Sequence, residues 1–378
     1  MKAVIIIPTY NEKGNIKKLI ETLEEEIFPG IVKWEMHILV VDDNSPDGTA
    51  KEVEQLIKQY KNLHLLQNGE KAGLGAAYIK GMSLAVEKLK PDVMFEMDAD
   101  GQHDPKKVPE FLQKIDEGND LVIGTRYSGG GSIPQNWPPI RKIYSVFGNL
   151  LVRTIFGRFA IHDWTGGYRA MKIPVFIKEK EEMGQFRGYT FQVSFLHKAV
   201  RDGFKVAEVP FHFTDRTLGN SKIAPGEYIV DLLKYVITAR INEIVHSSFP
   251  KFLMVGGLGF IINAVLYELL VRNTELPIAI ANIIAAQFSI FSNFNFNNAW
   301  TFRAQQSTSF FSYMKKIIGF YATSNIGVIL IQSGIIQLGD SLYGEHYYRI
   351  YFLIGTFFLL IWNFTFYRKV IWRKKYTL

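Results

Sequence analysis

Four long apolar stretches in the last part of the chain constrain its fold more than any other feature. They cover residues 252–271, 277–296, 317–338 and 350–366. A helix needs about 20 apolar residues to cross a bilayer, a length that the first three stretches reach and the fourth approaches. A soluble fold would leave too little polar surface to cover so many apolar segments. We therefore predict an all-α transmembrane domain of four helices over residues 249–378.

Basic residues are distributed unequally around these stretches. One side carries most of the cations, whereas the other offers only Arg272 and Arg349. Since cytoplasmic loops are rich in Lys and Arg, this asymmetry predicts that both termini lie in the cytoplasm. The net charge of +7 then fits attraction to a lipid surface and not nucleic-acid binding, because the cations cluster at helix ends. The basic side comprises Lys251, Arg303, Lys315, Lys316, Arg368, Lys369, Arg373, Lys374 and Lys375.

The first part of the chain alternates short apolar runs with helical patterns. Residues 3–7 form an apolar, β-favouring run, and a helical spacing of apolar residues follows from Ile16 to Leu23. A second unit repeats this order, with a strand predicted at 37–41. Such alternation predicts an α/β domain with a mostly parallel, Rossmann-like sheet over residues 1–225. No signal peptide precedes the first strand, and the absence of cysteine excludes disulfides and thiolate metal sites.

Two carboxylates end the apolar run at 93–97. If the strand continues through them, Asp98 and Asp100 point to one face, just past the carboxyl end of a strand where open α/β sheets bind ligands. Gln102 adds a third oxygen. Carboxylate and amide oxygens suit Mg²⁺ or Mn²⁺, and such ions complete their shell with substrate phosphates. The alternative is a polar turn without a metal, since Asp and Gly are ordinary turn residues.

The loops after the first two predicted strands hold groups suited to a nucleoside. Tyr10 can stack on a base, while Glu12 and Asp42 can accept hydrogen bonds from a base or a ribose. Acidic loops would repel a phosphate unless a cation stood between them, which is the role assigned to the metal. The glycine turn at 71–77 lacks the usual dinucleotide-binding spacing.

Four motifs together resemble one enzyme family. They are Ile-Pro-Thr-Tyr-Asn-Glu, Val-Val-Asp-Asp-Asn-Ser-Pro-Asp-Gly-Thr, Met-Asp-Ala-Asp-Gly-Gln-His and Gly-Thr-Arg-Tyr. They resemble the family 2 glycosyltransferases of GT-A fold and, within them, the dolichol-phosphate mannose synthases, over roughly residues 3–225. The resemblance implies a GDP-mannose donor, a divalent metal and a dolichyl or other polyprenyl phosphate acceptor. It also implies that Pro8, Tyr10, Glu12 and Asp42 contact the nucleoside and that Asp98, Asp100 and Gln102 contact the metal and diphosphate. The segment from residue 251 onward resembles the small GtrA-like membrane family.

Cationic residues before the membrane helices are candidates for binding the acceptor phosphate. Arg126 follows another predicted strand. Arg141 and Ser145 share a helix face by their i, i+4 spacing, near the end of a helix where backbone N–H groups favour an anion. The polar loop at 215–222 adds Arg216, Ser221 and Lys222, and an exposed connector is the alternative for this loop.

Asp163 lies in a segment, Asp-Trp-Thr-Gly-Gly-Tyr-Arg, that resembles the acceptor side of the family. It is a candidate to accept from a sugar hydroxyl or to join the metal shell. The alternative is a buried carboxylate paired with Arg169. With Asp98, Asp100 and Arg126, it completes the candidate catalytic set.

Two amphipathic segments flank the acceptor candidates. The apolar spacing over 143–151 fits either core packing or a helix lying at the lipid interface. The same two interpretations apply to the apolar stripe over 229–244. Residues 226–248 are assigned to an interfacial helix region.

The sequence therefore predicts an inverting, metal-dependent transfer of one hexose from a nucleotide donor to a lipid phosphate. UDP-glucose remains open as the donor, since the nucleoside groups do not distinguish guanine from uracil. A processive polysaccharide synthase would share the donor site, but its Gln-x-x-Arg-Trp motif is absent. A non-enzymatic transporter of lipid-linked sugars is the alternative from another class, and the intact Asp98 and Asp100 argue against it.

Overall fold

We describe the protein from a computed structural model. It describes residues 1–71, 73–183, 188–214, 225–276 and 278–373. These residues divide into two compact units, Met1–Arg240 and Ile241–Leu378.

The first unit is built on one sheet, for which the described residues supply seven strands in the order β3-β2-β1-β4-β6-β5-β7. Only β6 runs antiparallel to its neighbours, and the other pairs are parallel. The predicted class, a mostly parallel α/β sheet, is confirmed. The strands are β1 (Lys2–Thr9), β2 (Glu35–Asp42), β3 (Leu63–Gln67), β4 (Val93–Glu96), β5 (Leu121–Thr125), β6 (Arg169–Lys172) and β7 (Val206–Pro210).

Helices cover both faces of this sheet, which explains why its strands read as unbroken apolar runs. In β1, Ile5 and Ile7 pack on one face, while Val4 and Ile6 pack on the other. The first face is covered by α1 (Asn15–Glu21), α2 (Thr49–Ile57) and α4 (Val108–Asp116). The second is covered by α3 (Leu74–Leu84), α5 (Pro139–Phe156), α6 (Ile173–Met183), α7 (Gly188–Arg201) and α8 (Pro225–Val245).

The carboxyl ends of the parallel strands meet at one edge of the sheet. Thr9 at the end of β1 lies opposite Asp42 at the end of β2, and Ile6 of β1 lies opposite Glu96 at the end of β4. The strand β4 ends at Glu96, so Asp98 and Asp100 lie in the following turn. Strand alternation therefore does not bring these two carboxylates to one face, although they follow the carboxyl end of β4 as predicted.

The helices α5 and α8 present apolar side chains to the surface of the first unit. Along α5, Asn149, Val152 and Phe156 are buried, whereas the predicted stripe at 143–151 is mostly exposed, with Phe147 at 61%. Core packing is therefore the wrong interpretation for that stripe. The stripe on α8 divides, since Leu232 and Val236 are buried whereas Ile237 and Ile244 are exposed.

The second unit is helical, as predicted. Within its described residues, Phe249–Asn273 and Phe310–Tyr343 are long and apolar enough to cross a membrane. The latter span comprises two helices joined at 328–332, and all four predicted apolar stretches lie largely within helices. An aromatic cluster around Trp372 closes one end, where the indole donates to Asn298 Oδ1 at 3.0 Å. The helices are α9 (Phe249–Asn273), α10 (Ile278–Phe296), α11 (Phe310–Gly327), α12 (Ser333–Tyr343) and α13 (Tyr348–Phe366).

Candidate active site

Side chains from the loop after β2 hold the backbone of the loop after β1. The Asn11 N–H donates to Ser45 Oγ at 3.0 Å, and the Lys13 N–H donates to Asp47 Oδ2 at 3.0 Å. The Glu12 N–H donates to Thr49 Oγ1 at 3.1 Å. Sequence reasoning used this second loop for Asp42 and for its resemblance to a family, and did not predict contacts between the two loops. The structure shows that its hydroxyl and carboxylate groups satisfy backbone donors that would otherwise be unpaired.

Asp42, the last residue of β2, also connects the same two loops. Its Oδ1 accepts from Thr9 Oγ1 at 3.0 Å and from Ser45 Oγ at 2.6 Å, while Oδ2 accepts from the Ser45 N–H at 2.9 Å. The side chain is buried. Asp42 therefore lies at the predicted nucleoside loops and braces them through these bonds. Pro8, in β1, pairs with Val41, the residue before Asp42 in β2.

Tyr10 and the glycine turn form another side of this region. The Lys71 ammonium lies 3.9 Å from the centre of the Tyr10 ring. Asp43 fixes the turn, since its carboxylate accepts from Asn68 Nδ2 at 2.6 Å and from the Gly73 N–H at 3.0 Å. Gly73 has a φ of +90°, a conformation that L residues rarely adopt. The ring of Tyr10 and the acceptor Glu12 thus remain candidates for base and ribose contacts.

The candidate metal ligands lie in the turn after β4. Asp98 is about one-third exposed and accepts from the Tyr78 hydroxyl at 3.2 Å, whereas Asp100 is buried and accepts from the Gln102 N–H at 3.1 Å. The Gln102 amide nitrogen donates to Thr214 O at 3.2 Å. Across the described residues, no three His, Asp or Glu side chains group closely enough to hold a metal by themselves. Two carboxylates and an amide fit a hard cation that takes its remaining ligands from a substrate diphosphate.

His103 supports this turn, and sequence reasoning did not single it out. Its Nδ1 accepts from the Asp98 N–H at 3.0 Å, and its Nε2 lies 3.8 Å from Asp98 Oδ2. The imidazole stacks on Tyr168 with ring centres 4.9 Å apart. Burial lowers the pKa of His103 to about 4, so the ring is neutral and Nε2 carries its proton. The adjacency of His103 to the Asp-x-Asp motif was the available signal.

Arg126 and Asp163 form a buried ion pair. Arg126 Nε donates to Asp163 Oδ2 at 2.7 Å, and Nη2 donates to Oδ1 at 2.8 Å. Burial alone would raise the pKa of the Asp163 carboxyl, but the Arg126 guanidinium holds it below its usual value. The proposed pairing of Asp163 with Arg169 is not the arrangement found. The carboxylate also accepts from the Gly166 N–H at 3.1 Å, so it orders the loop that contains it.

Asn149 connects this loop to α5. Its Oδ1 accepts from the Trp164 N–H at 2.7 Å, and its Nδ2 donates to Thr165 Oγ1 at 3.1 Å. Arg126 Nη2 donates to the same Thr165 hydroxyl at 2.8 Å. Sequence reasoning missed Asn149 and Thr165, because the apolar stripe at 143–151 did not mark the buried face of α5.

The acceptor candidates Arg141 and Ser145 lie in the first half of α5. The guanidinium carbon of Arg141 is 3.8 Å from the centre of the Trp137 ring. Ser145 forms a hydrogen bond with the hydroxyl of Tyr127, the residue after Arg126. The remaining candidates, Arg216, Ser221 and Lys222, lie outside the described residues.

The chain thus joins a mostly parallel α/β domain, with acidic loops at its strand ends, to a helical domain with segments long and apolar enough to cross a membrane. Two family models cover these parts. The model described as "Glycosyl transferase family 2" matches residues 4–192, and "GtrA/DPMS, transmembrane domain" matches residues 251–372. The chain therefore belongs to glycosyltransferase family 2 and carries a GtrA/DPMS transmembrane domain, as the sequence predicted. It is a glycosyltransferase.

Three curated relatives extend this assignment. A polyprenol monophosphomannose synthase of Mycolicibacterium smegmatis is 39% identical over 59% of this chain and 81% of its own length. An undecaprenyl-phosphate mannosyltransferase of Micrococcus luteus is 37% identical over 64% of this chain and 96% of its own. A dolichol-phosphate mannosyltransferase of Pyrococcus furiosus is 33% identical over 84% of this chain and 85% of its own.

Proposed function

We propose that this chain transfers mannose from GDP-mannose to dolichyl phosphate or another polyprenyl phosphate, with inversion at the anomeric carbon. The observation that carries the proposal is the similarity to the Pyrococcus furiosus relative, which extends over 317 residues and so includes both domains. That relative and the two bacterial ones are all named for mannosyl transfer to, or synthesis on, a polyprenyl phosphate.

The donor end of the proposed site is the acidic edge of the sheet. In this proposal Tyr10 stacks on the base, while Glu12 and Asp42 accept hydrogen bonds from the ribose and the base. Asp98, Asp100 and Gln102 hold Mg²⁺ or Mn²⁺, which supplies charge neutralisation for the donor diphosphate when bound. The role of His103 is to fix the Asp98 backbone, since its Nδ1 already accepts that N–H at 3.0 Å.

The acceptor end uses cations and needs no protein base. The second pKa of a phosphate monoester is near 6, so the lipid phosphate is mostly dianionic at pH 7 and has no proton to lose. Its oxygen forms a bond to the sugar C1 as the bond from C1 to the diphosphate oxygen breaks. Arg141 and Ser145, with Arg126, Arg216, Ser221 and Lys222, would bring the two anions together. The Arg126–Asp163 pair orders the loop that contains Asp163.

The proposed arrangement divides the chain into a catalytic domain at 1–225, an interfacial region at 226–248 and a membrane domain at 249–378. Four spans with both termini in the cytoplasm place the catalytic domain on the cytoplasmic face. The exposed apolar side chains of α5, among them Phe147 and Leu151, support contact with the lipid surface from which the acceptor enters.

A panel of radiolabelled nucleotide sugars, each offered with a polyprenyl phosphate, tests this function. We expect GDP-mannose to label the lipid fraction and the other donors to label it at least about tenfold more slowly. The matched control is Asp100→Asn, which keeps the shape of the side chain and removes a metal-binding charge. Faster labelling from UDP-glucose would replace the proposed donor, and label released only into water would reject the lipid acceptor.

A further inference from the structure

Trp137 is buried two residues before the start of α5, and a cation lies over its ring. Only 5% of its surface is exposed, whereas Arg141 one helical turn later is exposed. The guanidinium carbon lies 3.8 Å from the ring centre, well within the range of a cation–π contact. At this distance the Arg141 guanidinium lies against the indole ring. The N–H groups at the edge of a stacked guanidinium can still point away toward an anion.

A second ring holds Trp137 in place. Phe213, just after β7, meets Trp137 edge to face with ring centres 5.7 Å apart. The Arg126 guanidinium carbon lies 5.3 Å from the centre of the same Phe213 ring. Trp137 and Phe213 thus form an aromatic platform that links two candidate phosphate-binding arginines.

The platform is also connected to the turn after β4, which holds the candidate metal ligands. Thr214, the neighbour of Phe213, donates from its hydroxyl to Gly101 O at 3.0 Å, and its own carbonyl accepts from Gln102 Nε2 at 3.2 Å. In the segment after β7, Thr214 therefore contacts the turn after β4, whereas Phe213 contacts Arg126 directly and Arg141 through Trp137. A ring fixed in this way sets where Arg141 can lie relative to the donor.

We propose that Trp137 is a positioning residue for the acceptor, which fixes Arg141 so that its guanidinium edge meets the acceptor phosphate, with Phe213 as its brace. This rests on the proposed function, since it assumes that Arg141 binds that phosphate. Stacking restricts a side chain that would otherwise lose conformational entropy when it bound the anion. The stacking of Arg141 on Trp137 therefore strengthens acceptor binding and leaves donor binding unchanged.

A double-mutant cycle between Trp137 and Arg141 tests the proposal. The full-length protein is assayed in detergent with a water-soluble three-isoprene phosphate as acceptor, and donor and acceptor are varied separately. We expect Trp137→Leu to raise the acceptor KM about 3- to 30-fold, the range set by a cation–π contact, with the donor KM unchanged. Trp137→Phe should recover part of that loss. In the Arg141→Ala background, Trp137→Leu should change the acceptor KM by less than about twofold.

The chain offers a matched control at the other end of α5. The Arg153 guanidinium carbon lies 5.9 Å from the centre of the Phe159 ring, which is exposed, and this cation–π pair includes no site residue. Phe159→Leu should leave both KM values unchanged.

The outcomes separate the two proposals. If Arg141→Ala leaves the acceptor KM unchanged, the proposed acceptor site is wrong. If Arg141→Ala raises it but Trp137→Leu has the same effect in both backgrounds, the site stands and the positioning role is overturned. A rise in the donor KM together with the acceptor KM would likewise show that Trp137 only maintains the fold.

Discussion

Arg126 and Asp163 are joined side by side inside the glycosyltransferase domain, with Nε to Oδ2 at 2.7 Å and Nη2 to Oδ1 at 2.8 Å. The Asp163 side chain has no exposed surface, and that of Arg126 has 8%. Two opposite charges at this depth depend on each other, because neither can recover its hydration if the partner is removed. The pair connects the strand end of β5 to the loop that Asn149 ties to α5.

Asp163→Asn should therefore destabilise the domain by about 3 to 5 kcal/mol, since it leaves the Arg126 charge buried without its partner. Denaturant unfolding in detergent micelles would measure the change. The exposed pair between Lys114 and Glu117 provides the control, and Glu117→Gln should change the free energy of unfolding by less than about 1 kcal/mol. Equal effects of the two substitutions would show that Asp163 is not needed to compensate Arg126.

Asp100→Ala should remove about 3 kcal/mol or more of transition-state stabilisation, which lowers the rate at least about 100-fold. The reason is that the leaving diphosphate would lose part of its charge partner. The same variant should lose the Mn²⁺ dependence of nucleotide binding, which equilibrium dialysis measures without turnover. Asp104→Asn is the control, because Asp104 accepts from the Lys106 N–H and is not one of the candidate metal ligands. Full activity of the native protein in excess chelator would show that catalysis does not require a metal.

Arg141→Ala should weaken use of the acceptor by roughly 2 to 4 kcal/mol, or about 30- to 1,000-fold, while donor affinity is unchanged. A charged contact to a partly desolvated phosphate accounts for that size. We expect Arg216→Ala and Lys222→Ala to behave similarly. Steady-state kinetics with each substrate varied in turn would distinguish the sites. Weaker donor binding with unchanged acceptor use would move these residues to the donor site.

Glu96 should make the domain less stable as the pH rises. Burial raises the pKa of this carboxyl to about 7, although Arg169, its neighbour across the β4–β6 pair, opposes the shift. A raised folded-state pKa gives stability that is complete below the unfolded value of 4.5 and is lost as the pH rises through about 7. Relative to the native protein, Glu96→Gln should gain roughly 3 kcal/mol between pH 4.5 and pH 8.

His103 acts in the opposite direction over an overlapping range. Its pKa is lowered from 6.5 to about 4, so its contribution is present above pH 6.5 and is lost as the pH falls through about 4. The native protein should therefore show a weaker pH dependence than either group alone would give. Denaturant unfolding of Glu96→Gln at pH 5 and pH 8 would reveal the Glu96 contribution. A difference from the native protein that does not vary with pH would contradict it.

The fold of the first domain was predictable because short, continuous apolar runs alternate with segments of helical spacing. The strands predicted at 3–7 and 37–41 lie within β1 and β2, and the loops that hold the candidate residues follow the carboxyl ends of parallel strands. The antiparallel β6 did not follow from the alternation rule, because that segment comes after a long loop region and α5. Its direction depends on pairing with β4 and β5.

The contacts of the site were less predictable than its location. Arg126 and Asp163 are 37 residues apart, and nothing in the local pattern favours their pairing over one between Asp163 and the nearby Arg169. The motif at Ser45 and Asp47 was recognisable, but its backbone contacts depend on how two loops meet. Side-chain pairing across distant segments is set by tertiary packing, which periodicity does not encode.

The account is tested most directly by the structure of the lipid product. Full-length protein would be incubated with GDP-mannose and a polyprenyl phosphate, and the purified product analysed by ³¹P and ¹H NMR. Direct attack of the lipid phosphate on C1 of an α-linked donor predicts one mannose per lipid, joined as a phosphodiester with β configuration. A lipid diphosphate would show transfer of a sugar phosphate instead, and an α-linked phosphodiester would contradict the inverting displacement.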